Sequence, residues 1–371
     1  MPKLDLSKRL HSLLLYGKLS RLPVFYMVLL CSIALTQLSA QFHSSAWAKR
    51  ERLPWTKAKT PSKGQAQSIG SYANGCLQGA ASLPAQGPGF KSIRRFRHRY
   101  FAHPESINLV RKLGKAVQEK QLTPIEVGDL SQVRGGLMAY GHRSHQSGLD
   151  VDVWFGGDAT YLQTEAKRRL QKLKRKAKKK KWSAKKLKQK RFDIEHPSLI
   201  SGWRELIDQK VWSKRHQTLL RLAAEQEEVA RIFVHFRIKE QMCTLYKASP
   251  EFKTQPEPLW LRKLRPWYGH HQHFHIRLHC PKDSLECDNQ GPLPKGLGCE
   301  GLSWFSKVEQ KERKLAEKDT EEQRKQEFAM FSKQEQAKIK AERAQKRKER
   351  IKAKAEKRAL LLQRCAHLAP K

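Results

Sequence analysis

The sequence is poor in acidic residues and in long apolar runs. Its 371 residues include 35 Asp and Glu against 75 Lys and Arg, so the formal net charge is +40. Beyond the first forty residues, no segment reaches the roughly 18 consecutive apolar residues of a membrane-spanning helix. The sequence also lacks a Cys-x-x-Cys pair, the usual sign of a zinc–thiolate site, and it shows no internal repeat. Two classes of protein, integral membrane bundles and zinc-finger-like modules, are therefore disfavoured.

The excess of positive charge attracts polyanions without sequence preference, so nucleic acid is the first partner to consider. However, the basic blocks do not interleave aromatic side chains on which bases could stack, and we expect no specific nucleic-acid partner. The densest block, residues 167–191, holds 16 Lys or Arg and no acid. It predicts a solvated, partly helical or disordered insertion. Solubility and electrostatic contact with anionic wall or lipid surfaces are equally consistent with this composition.

The N-terminus predicts export. Residues 1–21 carry five basic side chains, residues 24–35 form a short apolar run, and a small residue stands at position 40. This is the pattern of a signal peptide over residues 1–40, with an uncleaved anchor as the alternative. We therefore predict a periplasmic protein, in a compartment where disulfides form. Six cysteines would remain, which allow 15 connectivities, and they are Cys76, Cys243, Cys280, Cys287, Cys299 and Cys365.

Composition divides the remaining chain into a linker (41–65), a core domain (66–303, interrupted by 167–191) and a charged helical extension (304–371). The extension is rich in Glu, Lys, Gln and Ala and has no Gly or Pro up to residue 358. It predicts a long exposed helix, with apolar residues too sparse for a heptad seam. In the core, helices are expected over 108–118 (with Ser106 as a possible N-cap), 203–222 and 224–231, and a strand over 231–236. Helices mixed with antiparallel strands predict an α+β fold.

Two segments about 120 residues apart concentrate histidine and aspartate. Residues 141–152 read GHRSHQSGLDVD, and residues 270–275 read HHQHFH. Apolar and polar residues alternate over 149–155 and over 273–278, which predicts strands with one face in the core. Asp152 and His275 would then lie on the polar faces, and they can meet at one ion if the two strands are neighbours. His145 would reach the same point from the preceding loop, where Gly148 permits a tight turn.

Three protein ligands and an open position for water are typical of a catalytic zinc site. A single His-x-His or Asp-x-Asp pattern is weak evidence, since such residues are often solvated or cap a turn. The combination of both in two short segments indicates a metal-dependent hydrolase. The leading hypothesis is therefore a Zn²⁺ enzyme.

Four segments resemble the penicillin-insensitive murein endopeptidases, over about residues 68–302. They are residues 69–76 (IGSYANGC), 99–104 (RYFAHP), 144–154 (SHQSGLDVDVW) and 265–278 (RPWYGHHQHFHIRL). These enzymes are zinc peptidases of the class that includes lysostaphin-type and D-Ala-D-Ala peptidases. The class shares a His-x(6)-Asp motif and a His-x-His motif, here His145 to Asp152 and His273 to His275. The resemblance implies an α+β fold whose central antiparallel sheet carries the zinc, with flanking helices.

The resemblance also implies roles for individual residues. The family's three metal ligands correspond to His145, Asp152 and His275. A further histidine of the family motif corresponds to His142. The pair Asp193 and His196 matches an Asp-x-x-His pattern that the family also associates with metal. For that last pair, a salt-bridged surface loop is the alternative. Related D-Ala-D-Ala peptidases use a Glu three residues before the last ligand, and Gln272 stands there in this chain. An imidazole must then act as the base, with His273 the first candidate and His270 the second. Asp150 is expected to orient a ligand histidine or to cap a turn.

The implied disulfides are Cys76–Cys365, Cys243–Cys299 and Cys280–Cys287. The implied activity is hydrolysis of D-alanyl–meso-diaminopimelyl cross-links between peptidoglycan stem peptides, without a serine nucleophile that penicillin could acylate. Two alternatives stay open at this point: a D-Ala-D-Ala carboxypeptidase or dipeptidase, and a non-enzymatic basic wall- or nucleic-acid-binding protein with a structural metal. The sequence leaves the number of metal ions and the oligomeric state open.

Overall fold

The structure, a computed structural model, describes residues 57–368. The predicted signal peptide and residues 41–56 of the predicted linker lie outside this range. The strands are β1 Gln67–Ser71, β2 Asn74–Gln78, β3 Ala81–Ser82, β4 Gln86–Gly87, β5 Phe90–Ser92, β6 Phe101–Ala102, β7 Ile125–Val127, β8 Asp150–Trp154, β9 Ile200–Ser201, β10 Leu206–Ile207, β11 Val229–Val234, β12 Leu264–Pro266 and β13 His273–Leu278.

The α-helices are α1 Pro104–Glu119, α2 Ala159–Tyr161, α3 Lys167–Lys179, α4 Ala184–Glu195, α5 Lys214–Glu225, α6 Phe236–Lys247, α7 Glu251–Thr254, α8 Leu259–Lys263, α9 Lys307–Met330 and α10 Lys333–Arg364. A π-helical turn, Leu162–Ala166, joins α2 to α3, and short 3₁₀ turns occur at Arg95–Arg97, Leu302–Phe305 and Ala366–Leu368. None of the helices within residues 57–368 combines the length and the apolarity needed to cross a membrane.

The fold is α+β, as predicted, and its largest sheet has the strand order β12-β11-β13-β8-β7-β5-β4. The sheet is mixed, in contrast to the antiparallel sheet that we expected. The pairs β11–β12 and β5–β7 are parallel, because helices intervene along the chain between their members. The three consecutive pairs at the centre, β11–β13, β13–β8 and β8–β7, are antiparallel.

The two predicted motif strands are confirmed, and they are direct neighbours. β8 and β13 pair in a register that sets Asp152 opposite His275 and Val151 opposite Ile276. Val151 and Ile276 are at most 1% exposed and belong to the main hydrophobic core. Burial of such a side chain stabilises the fold by roughly 1.5–3 kcal/mol. The opposite face of the same two strands therefore carries the polar residues.

Helix α1 fastens the loop that precedes β8. The helix begins at Pro104, and the His103 side chain caps it by accepting from the Glu105 backbone N–H. The prediction of Ser106 as the cap was wrong, because Ser106 lies within the first turn. Its hydroxyl instead donates to the Gly148 carbonyl at 2.8 Å. This buried hydrogen bond therefore joins the first turn of α1 to the turn at Gly148.

The predicted helices over 203–222 and 224–231 were partly wrong. Residues 200–207 form the hairpin β9–β10, and only Lys214–Glu225 is helical. After Glu225 the chain enters β11, where Val229, Ile232 and Val234 are fully buried. β-branched residues favour a buried central strand over a helix, and tertiary packing decides the outcome here.

The basic segment 167–191 is an ordered helical hairpin. It contains α3 and the larger part of α4, and the Ser183 side chain caps α4 by accepting from the Lys186 N–H. Leu170 and Leu173 pack against the core, and Ala177 is buried. The charged side chains therefore project from a surface element that a few apolar residues hold in place.

The charged extension is two exposed helices and not one. The chain breaks at Phe331 and restarts at Ser332, whose side chain forms a capping box with Glu335. At the far end, Leu361 and Leu368 pack against Ile69 in a small separate cluster. The cysteines pair as the resemblance implies, in the bonds Cys76–Cys365, Cys243–Cys299 and Cys280–Cys287.

Candidate metal centre

The Asp152 carboxylate lies at the centre of four imidazoles. On one side, Asp152 Oδ1 is 3.3 Å from His145 Nε2 and 3.4 Å from His275 Nδ1. On the other side, Asp152 Oδ2 is 3.4 Å from His142 Nε2 and 3.8 Å from His273 Nε2. The structure thus brings together the three predicted ligands, the further histidine of the motif and the first candidate base.

The loop that delivers His145 has an unusual backbone. His145 itself has a φ of 69°, a left-handed conformation that is uncommon for a residue with a Cβ. Gly148 has a φ of 78°, and a Cβ there would lie 2.6 Å from Leu77 Cδ2 and 2.9 Å from the His103 nitrogen. Only glycine fits this point, so the predicted role of Gly148 is confirmed. Strain of this kind is typical of residues that the surrounding structure holds for function.

Asp150 orients the neighbouring groups from beneath the site. Its carboxylate accepts from the His145 backbone N–H at 2.8 Å and from Arg277 Nε at 2.8 Å. Asp150 Oδ1 also lies 3.0 Å from His275 Nε2. With Nε2 facing Asp150, the His275 ring presents Nδ1 to Asp152. A carboxylate behind a histidine is the usual way in which proteins fix the tautomer of a metal ligand.

Asp129 also contacts the cluster, although the sequence did not point to it. The same nitrogen, His142 Nε2, faces both Asp129 and Asp152. This buried carboxylate lies 3.0 Å from His142 Nε2, forms an ion pair with Arg97 at 2.9 Å, and accepts a hydrogen bond from Arg99 at 2.8 Å. The signal available in the sequence was a carboxylate two residues after the short strand β7. The position of such a residue at the site depends on the pairing of β7 with β8.

Several buried polar atoms at the centre lack hydrogen bonds within the described chain. They include Asp152 Oδ1 and both ring nitrogens of His145. Burial of unpaired polar atoms is costly, and a bound cation would remove that cost here. His142, His145 and Asp152 also offer three ligand atoms that lie within 4.8 Å of one another. The donor set of imidazole nitrogen and carboxylate oxygen suits a divalent transition metal.

The negative Asp152 carboxylate lies among imidazoles whose pKa values shift in opposite directions. At His145, burial lowers the pKa, but the charge of Asp152 outweighs burial and raises the pKa above its usual value. Burial raises the pKa of Asp152, but the charges of His145, His273 and His142 outweigh it and hold the pKa well below its usual range. Burial lowers the pKa of His273, against the opposing effect of Asp152. Burial, with smaller contributions from His273 and His275, lowers the pKa of His270 to about 3. Neutral imidazoles can accept a proton or bind a metal.

The second candidate base, His270, stands at the rim of the centre. Its ring centroid is 5.1 Å from that of His273 and 5.9 Å from that of His275. His270 Nδ1 lies 2.8 Å from the Tyr268 carbonyl oxygen. A proton on Nδ1 for this contact leaves Nε2 as the acceptor nitrogen. His270 and His273 therefore both lie beside the three predicted ligands and do not belong to that set.

A groove of about 430 Å³ opens beside the centre. Its lining residues are Ala73, His142, Arg143, Ser144, Phe233, Trp267, His270, His275, Arg277 and Gln290. Trp267 is 53% exposed, and Arg143 is exposed too, so a bound molecule would meet an aromatic face and a guanidinium. The groove gives an extended ligand access to the histidines.

Asp193 and His196 make their polar contacts with residues outside the cluster around Asp152. The Asp193 carboxylate accepts from Gln189 at 2.8 Å and lies 3.6 Å from Lys190 Nζ. His196 Nε2 is 2.5 Å from Glu126 Oε2. The nearest link to the cluster is Trp154, whose ring centroid is 5.5 Å from those of His196 and His273. Asp193 lies in helix α4 and the buried His196 is its C-cap, so the pair does not form the surface loop of the alternative. The metal association that the resemblance implies for this pair stays a prediction.

Comparison with known proteins agrees with this geometry. A family model described as penicillin-insensitive murein endopeptidase matches residues 68–338. A protein of that name from Haemophilus influenzae is 38% identical over 262 residues, which cover 68% of this chain and 79% of that protein. Proteins of the same name from Klebsiella pneumoniae and Salmonella paratyphi C are each 38% identical, over 254 and 271 residues. These alignments cover 68% and 72% of this chain and 81% and 86% of the relatives.

The family match covers more than half of the chain, including every strand of the largest sheet and all the histidines around Asp152. The relatives are aligned over most of their own length. The chain therefore belongs to the penicillin-insensitive murein endopeptidase family.

Proposed function

We propose that this protein is a zinc-dependent murein endopeptidase that hydrolyses D-alanyl–meso-diaminopimelyl cross-links between peptidoglycan stem peptides. The observation that carries the proposal is the convergence of His145, Asp152 and His275 beside a groove, with His142 and His273 around the same carboxylate. Family membership supports the substrate class, since the relatives bear the name murein endopeptidase.

The residues fit a single zinc ion. His145 and Asp152 supply buried atoms without hydrogen-bond partners, and His275 turns Nδ1 toward them. Two imidazoles and one carboxylate form one of the usual catalytic zinc sets. A bound zinc ion would supply Lewis acidity and lower the pKa of a water molecule toward neutrality. In this assignment Asp150 holds His275 from behind.

Proton transfer falls to the remaining histidines. Gln272 cannot act as a base, so we assign to His273 Nε2 the uptake of the proton from the attacking water and its delivery to the leaving amine. His270 stands beside it as the second candidate, with Nε2 free to accept. If His270 moves the proton instead, His273 can donate to the oxyanion of the scissile carbonyl. Asp129 keeps His142 in position through the 3.0 Å contact.

The groove beside the centre suits a peptide that carries free carboxylates. Stem peptides have carboxyl groups beside the cross-link, and Arg143 presents an exposed guanidinium at the groove wall. Arg can bind a carboxylate through two parallel hydrogen bonds. Trp267 offers an apolar face for the alkyl chain of the diaminopimelyl residue. These two side chains would orient the cross-link toward His142, His270 and His275, the histidines that line the groove.

The proposal includes a periplasmic location and insensitivity to penicillin. Three disulfides are typical of proteins from oxidising compartments. The murein that the relatives are named for lies in the same compartment. Penicillin acts by acylating a serine nucleophile, and in the proposed mechanism an activated water attacks. The enzyme would therefore keep its activity in the presence of β-lactams.

Digestion of purified cross-linked muropeptide dimers tests the proposal directly. We expect conversion to monomers, loss of activity in a chelator, and recovery on addition of Zn²⁺. Release of free D-alanine from uncross-linked pentapeptide, with intact dimers, would identify a carboxypeptidase instead. Unchanged dimers and unchanged pentapeptide, with a fully zinc-loaded folded protein, would contradict an enzymatic role.

A further inference from the structure

A second groove, of about 580 Å³, runs between the 3₁₀ turn Arg95–Arg97 and helix α4 of the basic hairpin. We call it the basic groove. Its lining residues are Arg94, Phe96, Ser183, Lys185, Lys186, Lys188, Gln189, Lys190 and Phe192. The groove shares no lining residue with the one beside the metal centre, so it is a separate surface.

The basic groove combines positive charge with aromatic faces. Five of its nine lining residues are Lys or Arg, and none of these described lining residues is acidic. Phe96 is 74% exposed, which is unusual for a phenylalanine without a partner. Cations placed around an aromatic wall fit a ligand that alternates anionic groups with apolar ring faces.

The walls of the groove are pre-organised. The Arg94 guanidinium lies 5.1 Å from the Phe192 ring centroid and 5.4 Å from that of Trp154. Trp154 and Phe192 meet edge to face, with centroids 5.1 Å apart. These contacts join the turn, the hairpin and the central sheet. A ligand would therefore meet a formed surface and would not have to order it first.

The same walls lead to the metal centre. Trp154, which forms the end of the Arg94–Phe192 stack, has its ring centroid 5.5 Å from that of His273. Arg97, which follows the lining residue Phe96 in the same 3₁₀ turn, lies 2.9 Å from Asp129, and Asp129 lies 3.0 Å from His142. One buried side chain, Trp154, therefore separates Phe192 in the groove wall from the proposed catalytic histidine.

We propose that the basic groove binds a glycan strand of peptidoglycan with its attached stem peptide, next to the cross-link being cleaved. This inference rests on the proposed function. Free carboxylates of a stem peptide would pair with Lys185, Lys186 and Lys188, and sugar rings would pack on Phe96. Closeness to His273 favours this partner over a phosphate-bearing lipid surface or nucleic acid, because a cross-linked strand occupies both grooves with one molecule.

The test compares two variants that each lose three positive charges, one in the basic groove and one on a distant helix. The first combines K185A, K186A and K188A in the groove, and the control combines K338A, K346A and K348A on the exposed helix α10. The probe is a fluorescent, uncross-linked glycan strand with tetrapeptide stems, which has no bond for the enzyme to cut. Fluorescence anisotropy measures its Kd for each full-length, metal-loaded protein.

We expect the groove variant to bind the probe roughly 3- to 150-fold more weakly, which is the combined size of three exposed ion pairs. The control variant should stay within about twofold of the unmodified protein if the binding is local and not a net-charge effect. F96S should weaken binding as well, whereas F331S, on the tail, should not. Equal weakening in the two lysine variants, or in neither, would overturn the proposal.

Two further measurements separate this inference from the proposed function. On a small cross-linked peptide dimer without glycan, kcat/KM should be the same for the groove variant and the unmodified protein, while KM for intact sacculi rises. An unmodified protein that binds the glycan probe but cleaves no dimer would contradict the proposed function alone. Competition by phosphatidylglycerol vesicles or single-stranded DNA as strong as that by unlabelled strands would contradict the groove's assignment to peptidoglycan.

Discussion

Asp152 and His275 are register partners on adjacent antiparallel strands, with 3.4 Å between Asp152 Oδ1 and His275 Nδ1. The motifs that contain them are more than 120 residues apart in the chain, yet the β8–β13 pairing joins them without any loop. Because both strands are buried on their opposite face, their relative position is held by the core. This pair is the fixed part of the candidate site, and His142 and His145 join it from the loop.

The first prediction concerns the three proposed ligands. H145A, D152A and H275A should each lose tight zinc binding and cross-link cleavage, because each removes one of three donor atoms. Metal analysis of the purified proteins checks this, with H279A as a control because His279 lies just beyond the same strand β13. Full zinc content together with full activity in any one variant would remove that residue from the ligand set.

The second prediction separates the base from the ligands. H273A should keep its zinc and lose turnover by about 10² or more, the usual scale for a positioned acid–base group. Steady-state kinetics on muropeptide dimers and metal analysis of the same preparation provide the two readouts. If zinc is lost together with activity, His273 binds metal. If H270A alone has the catalytic defect, the two histidines exchange roles.

The third prediction tests Asp150 as the group that orients His275. D150N keeps the size of the side chain but removes the charge that faces His275 Nε2 and Arg277. Loss of such a supporting carboxylate lowers metal affinity about 10- to 100-fold in comparable sites. Titration against a competing chelator measures the affinity, and thermal unfolding checks that the fold survives. D288N, an exposed aspartate, is the matched control, and equal affinities in the two variants would contradict the assigned role.

The fourth prediction is a loss of stability in acid through His216. This buried histidine bonds Gly156 O through Nε2 and Ser213 N through Nδ1, and burial lowers its pKa to about 4. The contribution of His216 to the free energy of unfolding is fully present at pH values above the unfolded-state pKa of about 6.5. As pH falls from about 6.5 toward 4, only the unfolded state takes up this proton, and the free energy of unfolding drops by roughly 1.4 kcal/mol per pH unit.

Chemical denaturation between pH 7.5 and 4 measures this effect. H216N, which retains a polar side chain but cannot titrate, should be less stable at pH 7 and should show a shallower decline over that window. The buried His235 also has a pKa lowered to about 4 and remains in the variant, so some slope will persist. Parallel curves for the two proteins would show that His216 is not the source.

Much of the candidate site was available from local chemistry. Alternation over residues 149–155 and 273–278 assigned Asp150, Asp152, His273 and His275 to the polar faces, because successive side chains in a strand point to opposite sides. The left-handed turn at Gly148 followed from its place before a strand. The distribution of basic residues likewise indicated a separate, solvated segment. These properties depend only on neighbours in the chain.

Other features were decided by tertiary contacts. The adjacency of β8 and β13, the mixed sheet, and the approach of Asp129 to His142 depend on which strands pair. The cap of α1 is His103 and not Ser106, because the buried Gly148 carbonyl engages the Ser106 hydroxyl. The predicted helix over 224–231 gave way to a buried strand. Sequence alone therefore determined the chemistry and the faces of the site residues, and packing in three dimensions determined which of them meet, since contacts between distant segments are set by the shared core and not by local preference.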